Sequence, residues 1–168
     1  MKPIKLKDLL EQAKNPKVQQ IEIVEDYVLS VKTVFEGVVK DVPEEMLSKY
    51  YISDWYPEEG TPVLVVLVWV NPHEQFNKYA ENSNNDSHGV TIHDLMANGC
   101  CTNPYIDFAI VNIKTGEVLV DRVSDKTYMV DDNKDYDLFL PYEWKTVRAW
   151  EVRDSKMIFY ILPPKRRR

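Results

Sequence analysis

The sequence predicts an α+β protein made of two similar helix-plus-antiparallel-sheet units, and three observations support this fold class. A segment near the start is repeated 86 residues later, since residues 4–10 (IKLKDLL) resemble residues 90–96 (VTIHDLM). Each copy is followed by runs of β-branched and aromatic residues, which favour strands. The connections between these runs are short, which favours antiparallel pairing. Repetition at a nearly fixed offset indicates an internal duplication, with chance agreement of two α+β units as the alternative.

The first half is predicted to contain an amphipathic helix, two strands, a short helix and a final strand pair. Apolar residues of the first helix recur at three- and four-residue spacing, at Leu6, Leu9, Leu10 and Ala13. Asn15-Pro16 ends this helix because proline cannot continue it. Pro43, followed by two glutamates, favours a short helix over residues 42–47. The predicted strands cover residues 19–29, 31–39, 50–56 and 63–70.

The second half is predicted to repeat the first helix and the strands, without a counterpart of the short helix. Ile21-Glu22-Ile23 aligns with Ile106-Asp107-Phe108 at an offset of 85 residues, and residues 33–35 align with residues 117–119 at an offset of 84. Residues 112–117 (NIKTGE) favour a hairpin turn. The predicted strands of this half cover residues 105–111, 117–123, 146–152 and 157–162.

The segment Val63–Val70 (VLVVLVWV) is apolar at every position, so we expect both faces of this strand to be covered. Such a strand fits the place where the two halves meet, or a surface where a second copy of the chain docks. The polar run at residues 82–89 predicts an exposed linker over residues 71–89. The expected organisation is therefore two α+β units, residues 1–70 and 90–164, followed by a basic tail, Lys165–Arg168.

The net charge of −6 is unevenly distributed along the chain. Residues 1–70 and residues 90–164 each hold 8 basic and 12 acidic residues, residues 71–89 have a net charge of −2, and the tail contributes +4. A negatively charged body repels phosphate backbones and attracts basic surfaces. This argues against direct nucleic-acid binding outside the basic tail, and simple solubility is the alternative explanation of the charge.

The two cysteines and the apolar runs predict a cytoplasmic protein. Cys100 and Cys101 are adjacent, which excludes a disulfide framework, and we expect both thiols to be reduced. The first residues lack the apolar core of a signal peptide. The longest apolar run, Val63–Val70, is far shorter than the ~18 residues of a membrane span.

Two groups of residues resemble metal sites without meeting the requirements of one. The candidate zinc ligands are His88, His93, Cys100 and Cys101, but adjacent cysteines direct their side chains apart. Residues 131–137 (DDNKDYD) place oxygen ligands as a calcium loop does, but Tyr136 stands where that loop needs glycine. We therefore expect no metal, no cofactor and no catalytic residue. A metal-dependent or cysteine hydrolase built on the four candidate ligands is an alternative.

Aromatic rings next to carboxylates are the strongest candidates for partner binding, because tryptophan and tyrosine often anchor interfaces and carboxylates select a basic partner. The candidate partner-binding residues are Asp54, Trp55, Tyr56, Glu58, Glu59, Asp131, Asp132, Asp135, Asp137, Tyr142, Glu143 and Trp144. For Trp55, a place in the core is the alternative. Tyr142 and Trp144 follow Pro141 in a predicted loop, and we expect them to be exposed anchors.

Four segments of the first half resemble short proteins carried by phages and prophages of Gram-positive bacteria. They are Leu6–Leu10, Ile21–Ile23, Val34–Gly37 and Val42–Leu47. The resemblance covers residues 4–56, with a degenerate echo over residues 90–152, and it brings no catalytic residue. It implies an origin in a mobile element. Small acidic proteins of that origin include anti-CRISPR inhibitors, which imitate the charge of nucleic acid and occupy the basic channels of host nucleases.

Together, these observations predict a non-catalytic acidic interaction protein. We expect it to occupy the basic surface of a nucleic-acid-handling partner in the host cytoplasm, with a CRISPR nuclease as the partner that the resemblance implies. A structural or immunity-type protein that forms a homodimer through Val63–Val70 is the alternative from another functional class.

Overall fold

The computed structural model describes residues 3–27, 29–70, 89–97, 107–122, 138 and 140–163. Within these residues the chain forms two four-stranded mixed sheets, each accompanied by short helices. The predicted α+β fold with two similar units is therefore confirmed. The predicted linker lies outside the described residues except for Gly89, as does the basic tail.

The first unit contains two helices and four strands. They are α1 (Leu6–Leu10), β1 (Gln20–Tyr27), β2 (Ser30–Val38), α2 (Glu44–Lys49), β3 (Tyr51–Pro57) and β4 (Val63–Trp69). A 3₁₀ turn at Val39–Asp41 precedes α2. The order of the strands in the sheet is β2-β1-β4-β3.

The second unit repeats this arrangement in its described residues. Its elements are α3 (Ile92–Ala97), β5 (Asp107–Asn112), β6 (Val118–Arg122), β7 (Ala149–Arg153) and β8 (Lys156–Ile161). A 3₁₀ turn at Leu140–Tyr142 lies before β7, in the place that α2 has before β3. The strand order β6-β5-β8-β7 corresponds to that of the first sheet.

The central strand pair of each sheet is parallel, which corrects the antiparallel sheets expected from the sequence. β1 runs parallel to β4, and β5 runs parallel to β8, while the outer pairs are antiparallel. In the first unit, the 3₁₀ turn and α2 connect β2 at one edge of the sheet to β3 at the other edge. The β3–β4 hairpin then places β4 beside β1, and a long crossover of this kind is what parallel pairing requires.

Backbone hydrogen bonds confirm the offset of 86 residues between the helices. Leu6 N–H donates to Tyr50 O at 3.0 Å, and Ile92 N–H donates to Lys145 O at 3.1 Å.

The strands need a different alignment. Ile21 is opposite Leu64 and Phe108 is opposite Met157 in the two parallel pairs, so Ile21 corresponds to Phe108 rather than to Ile106. The expected offset of 85 was wrong by two residues. Because side chains alternate between the two faces of a sheet, a shift of two residues still assigns each strand residue to the correct face.

Helix α1 is shorter than the apolar spacing predicts, because the residues after it pair with the second unit. Trp150 N–H donates to Gln12 O at 2.9 Å, and Lys14 N–H donates to Trp150 O at 2.8 Å. Ala13 consequently forms a bridge beside Trp150 instead of a further helical turn. This segment covers part of the outer edge of β7, which would otherwise be open to pairing with another chain.

One hydrophobic core joins the two units, and two buried tryptophans cross between them. Trp55 on β3 donates its Nε1–H to Leu95 O at 2.8 Å, and Trp150 on β7 donates its Nε1–H to Leu9 O at 2.7 Å. Both tryptophans are at most 1 % exposed. Each unit therefore satisfies a helical carbonyl of the other, and we call Trp55 and Trp150 the reciprocal tryptophans.

Strand β4 has buried residues on both faces, as its uniform apolarity predicts. Leu64, Val66 and Val68 point into the shared core and are fully buried. Val65, on the opposite face, is also buried. The core-facing side of this strand therefore belongs to the core that residues of both units form.

A buried tyrosine in the first unit gives a pH-dependent prediction. Tyr50 donates its hydroxyl hydrogen to Glu25 Oε2 at 2.9 Å, and both residues are buried. Burial, followed by the hydrogen bond to and the charge of Glu25, raises the pKa of Tyr50 from 10.0 to about 12. The folded state thus holds this proton more tightly than the unfolded state does. The stability from this group is fully present below pH 10.0 and is lost as the pH rises towards about 12.

We expect Tyr50→Phe to be less stable than the wild type by about 1.5–3 kcal/mol below pH 10, because a hydrogen bond to a charged group is lost. This difference should shrink as the pH rises through the window of Tyr50 ionisation. Chemical denaturation at a series of pH values measures it, with Tyr51→Phe as the control for loss of a neighbouring hydroxyl. A difference that stays constant across the window would contradict the assignment.

Candidate protein-binding surfaces

The residues predicted to bind a partner are distributed between two surfaces and the core. Asp54, Tyr56 and Glu58 are half-buried on or next to β3, and Glu59 is exposed in the following turn. Trp144 is exposed, whereas Tyr142 is only partly exposed and packs against the core. Asp131, Asp132, Asp135 and Asp137 lie outside the described residues.

Trp55 is a buried core residue, so it cannot serve as a contact residue at the surface. It points inward opposite Val66, while Asp54 and Tyr56 on either side of it are opposite Leu67 and Val65 and point outward. The alternative stated above, that Trp55 belongs to the core, is therefore correct. Glu143 is also buried, with 7 % exposure, and it acts within the protein rather than at its surface.

The first surface surrounds Tyr56 on the outer face of the first sheet. Val65 on β4 is flanked by Tyr56 on β3 and by Glu22 on β1. Asp54 and Glu58 lie two residues before and two residues after Tyr56. We call Glu22, Asp54, Tyr56 and Glu58 the acidic face.

Burial and the nearby carboxylates raise two pKa values on the acidic face. For Tyr56, burial is the largest cause of the raised pKa, and the charges of Glu22, Glu58 and Asp54 raise it further. For Asp54, burial again raises the pKa most, against a lowering by the hydrogen bond from Trp55 N–H. Negative potential is therefore concentrated here, and it disfavours any further negative charge.

Glu22 and Glu58 form hydrogen bonds with neutral side chains. Thr33 donates to Glu22 Oε1 at 2.8 Å, and Thr61 donates to Glu58 Oε2 at 2.9 Å. Among the residues that the structure describes, no lysine or arginine forms an ion pair with either glutamate. Their charges are consequently available to a cation from outside the described residues.

On the corresponding face of the second sheet, the carboxylate of Glu151 is neutralised within the chain. Glu151 Oε1 lies 2.6 Å from Arg153 Nη2 and 3.5 Å from Lys14 Nζ, and it also accepts a hydrogen bond from Tyr160. The ammonium of Lys14 lies 4.5 Å from the centre of the Tyr160 ring. The two similar units thus differ in the surfaces that they present, since Glu151 is satisfied internally.

The second surface is an exposed tryptophan held by a histidine and a buried glutamate. The rings of His93 and Trp144 are stacked with centres 4.3 Å apart and planes inclined by 25°. His93 Nδ1 lies 2.7 Å from Glu143 Oε1, and Trp144 is 69 % exposed. With the Glu143 carboxylate ionised, it can only accept hydrogen bonds, and Nδ1–H is then the donor. We call His93, Glu143 and Trp144 the stacked triad.

The start of helix α3 fixes the position of His93. Thr91 Oγ1 accepts a hydrogen bond from Asp94 N–H at 3.1 Å, while Asp94 Oδ2 accepts one from Thr91 N–H at 3.0 Å. This reciprocal cap satisfies amides that the first turn leaves free. His93 N–H donates to Glu143 O at 2.8 Å, so the backbone and the side chain of Glu143 both bind His93.

The first unit folds without the stacked triad. Its corresponding residues are Lys7, Ser48 and Lys49, aligned through the equivalent bonds Leu6 N–H to Tyr50 O and Ile92 N–H to Lys145 O. None of these three residues is aromatic or acidic. The fold therefore has no requirement for an exposed indole at this place.

The zinc hypothesis joins His93 to three residues outside the described part of the chain. His88, Cys100 and Cys101 lie outside the described residues, as does the calcium-like segment at residues 131–137. In the part of the chain that the structure describes, no three metal-ligating side chains come together. His93 instead binds Glu143, which is 50 residues away in sequence.

Comparison with known proteins gives no match to a family model, to a curated protein or to a solved structure. No helix in the described ranges is both long and apolar enough to cross a membrane. The two surfaces are therefore the basis for any inference about function.

Proposed function

We propose that this chain is a non-catalytic interaction protein that binds a basic, nucleic-acid-handling protein and blocks its nucleic-acid site. The acidic face is the observation that supports this function most. Three carboxylates and a tyrosine share one sheet surface, and Glu22 and Glu58 form no ion pair with a described cation. A lysine- or arginine-rich groove is the complementary partner for such a surface.

The contrast between the two sheets separates this proposal from simple solubility. Solubility needs only a net charge, which scattered and internally paired carboxylates can supply. On the second sheet, Glu151 is paired with Lys14 and Arg153, whereas the partners of the Glu22 and Glu58 carboxylates within the described residues are threonine hydroxyls. Carboxylates gathered on one half-buried face favour recognition of a specific cationic surface.

The nucleic-acid-handling character of the partner follows from two considerations. Proteins that bind phosphate backbones concentrate lysine and arginine in their grooves, so an acidic protein can compete for those grooves. The resemblance of residues 4–56 to phage-borne proteins adds RNA-guided CRISPR nucleases as the first partners to test.

The proposal is tested by mixing the purified chain with purified RNA-guided nucleases and measuring DNA cleavage and co-elution. We expect inhibition and co-elution at roughly 50 mM salt, and weaker binding at roughly 500 mM salt, because salt screens interactions between exposed charges. Unchanged cleavage together with separate elution at low salt, for every nuclease tested, would contradict inhibition of this class.

A matched pair of charge reversals locates the contact. Glu58→Lys alters the acidic face, and Glu117→Lys makes the same charge change in an exposed turn of the second unit. We expect Glu58→Lys to weaken binding about two- to tenfold, since an ion pair is replaced by repulsion, and Glu117→Lys to have little effect. Equal weakening by both variants would indicate attraction by net charge alone.

A further inference from the structure

The stacked triad carries an inference that does not depend on the acidic face. Trp144 is 69 % exposed, so its removal loses little hydrophobic burial, and the first unit has Lys49 at the corresponding place. The ring is nevertheless held in a defined orientation by its stack on His93. A rigid, exposed indole is the kind of side chain that dominates protein interfaces.

We propose that the stacked triad is a preorganised binding site for an arginine side chain of a partner protein. The imidazole covers one face of the Trp144 indole, and the high exposure of the residue leaves the other face open to solvent. A guanidinium is planar, weakly hydrated and always charged, so it stacks on an indole better than any other side-chain cation.

Cation recognition by aromatic rings is already present elsewhere in this chain. Lysine ammonium groups lie over the rings of Tyr51, Tyr160 and Tyr50, at 6.0, 4.5 and 4.9 Å from their centres. All three cations come from the chain itself. Among the described residues, no lysine or arginine lies over Trp144, and the net charge of −6 favours a cation from a partner.

His93 and Glu143 are positioning residues in this site. Glu143 fixes His93 through its buried carboxylate and its backbone carbonyl, and His93 in turn fixes the indole. Holding a side chain in its bound orientation before binding saves the entropy of ordering it. The partner is taken from the proposed function, but the affinity of the triad for a guanidinium can be measured without that partner.

Nuclear magnetic resonance of the full chain tests the site with small probes. The indole N–H signal of Trp144 is assigned by its loss in Trp144→Ala and followed during titration with triarginine, trilysine and N-acetyl-leucine amide. We expect a saturable shift with triarginine, a weaker one with trilysine and none with the leucine amide. In Trp144→Ala, which lacks this signal, the titration is followed by backbone amide shifts, and the affinity for triarginine should fall about two- to fivefold.

Two further variants separate positioning from simple loss of structure. We expect His93→Ala to raise the mobility of the Trp144 indole, measured by its ¹⁵N heteronuclear NOE, and to weaken triarginine binding about two- to tenfold. Glu143→Gln still offers a carbonyl oxygen to Nδ1–H, so it should preserve most of the rigidity. The proposal fails if triarginine leaves the Trp144 signal in place, if the leucine amide binds better, or if His93→Ala changes neither measurement.

The outcomes also separate this site from the proposed function. Triarginine binding at Trp144 without inhibition of any nuclease would support the site and contradict the proposed partner class. Inhibition that is unaffected by Trp144→Ala, combined with no triarginine shift, would keep the acidic face as the binding surface and exclude the triad.

Discussion

Replacing either reciprocal tryptophan with alanine is expected to lower the free energy of unfolding by about 3–5 kcal/mol, the range for truncating a buried aromatic residue. Trp150→Ala removes a fully buried ring and leaves Leu9 O without its indole donor. Trp55→Ala does the same to Leu95 O and also removes the edge-on contact with Phe159, whose ring centre lies 5.8 Å away. We expect the two losses to be similar because the two environments correspond.

Chemical denaturation followed by circular dichroism measures this prediction, and the chain supplies its own control. Trp144→Ala removes the same side chain from an exposed position, and we expect it to change stability by no more than about 0.5 kcal/mol. Each reciprocal variant should still unfold in one transition, because the damaged contact belongs to both units. Two separated transitions, or a loss confined to one unit, would mean that the units fold independently.

The second large effect is expected at Gln19, a buried amide at the boundary between the units. Its Nε2 donates to Gln20 O and to Pro62 O, both at 2.9 Å, and its Oε1 accepts a hydrogen bond from Val152 N–H at 2.9 Å. Each buried polar group that loses its partner costs about 1–3 kcal/mol. Gln19→Leu should therefore lower the free energy of unfolding by about 2–5 kcal/mol, despite the greater apolarity of leucine.

The neighbouring glutamine is the matched control for this substitution. Gln20 is exposed at the start of β1, and Gln20→Leu should change stability by about 0.5 kcal/mol or less. Gln19→Glu preserves an acceptor for Val152 N–H but turns a carboxylate towards two carbonyl oxygens, so its loss should equal or exceed that of Gln19→Leu. Wild-type stability in Gln19→Leu would show that the three backbone groups find other partners.

The elements that depend on local spacing could be predicted from the sequence, and the pairing of strands could not. Leu6, Leu9 and Leu10 lie on one face of a helix whatever the length of that helix. The repeat of this pattern 86 residues later identified the second unit. Whether β1 pairs with β3 or with β4 depends on how the chain crosses the sheet between residues 39 and 50. Short connections suggested antiparallel neighbours, and the parallel central pair depends on contacts between residues far apart in sequence.

On the two surfaces, too, local features could be predicted from the sequence, whereas contacts between distant residues could not. Alternation along β3 contained a signal for the buried Trp55, since the polar Asp54 and Tyr56 on either side of it had to share the opposite face. The exposure of Trp144 was predictable because it follows Pro141 in a loop. The link between His93 and Glu143 was not, because nothing near either residue indicates a partner 50 positions away.

The two similar units in one chain also bear on the stoichiometry of the proposed complex. A symmetric dimer of identical subunits displays every surface residue twice and therefore offers two equivalent sites. Here one unit has the stacked triad and the other the acidic face, while Glu151 on the second sheet is paired with Lys14 and Arg153. Under the proposed function, with both surfaces contacting the same partner, a single chain should bind one partner molecule, and a measured molar ratio of one to one is the expected result.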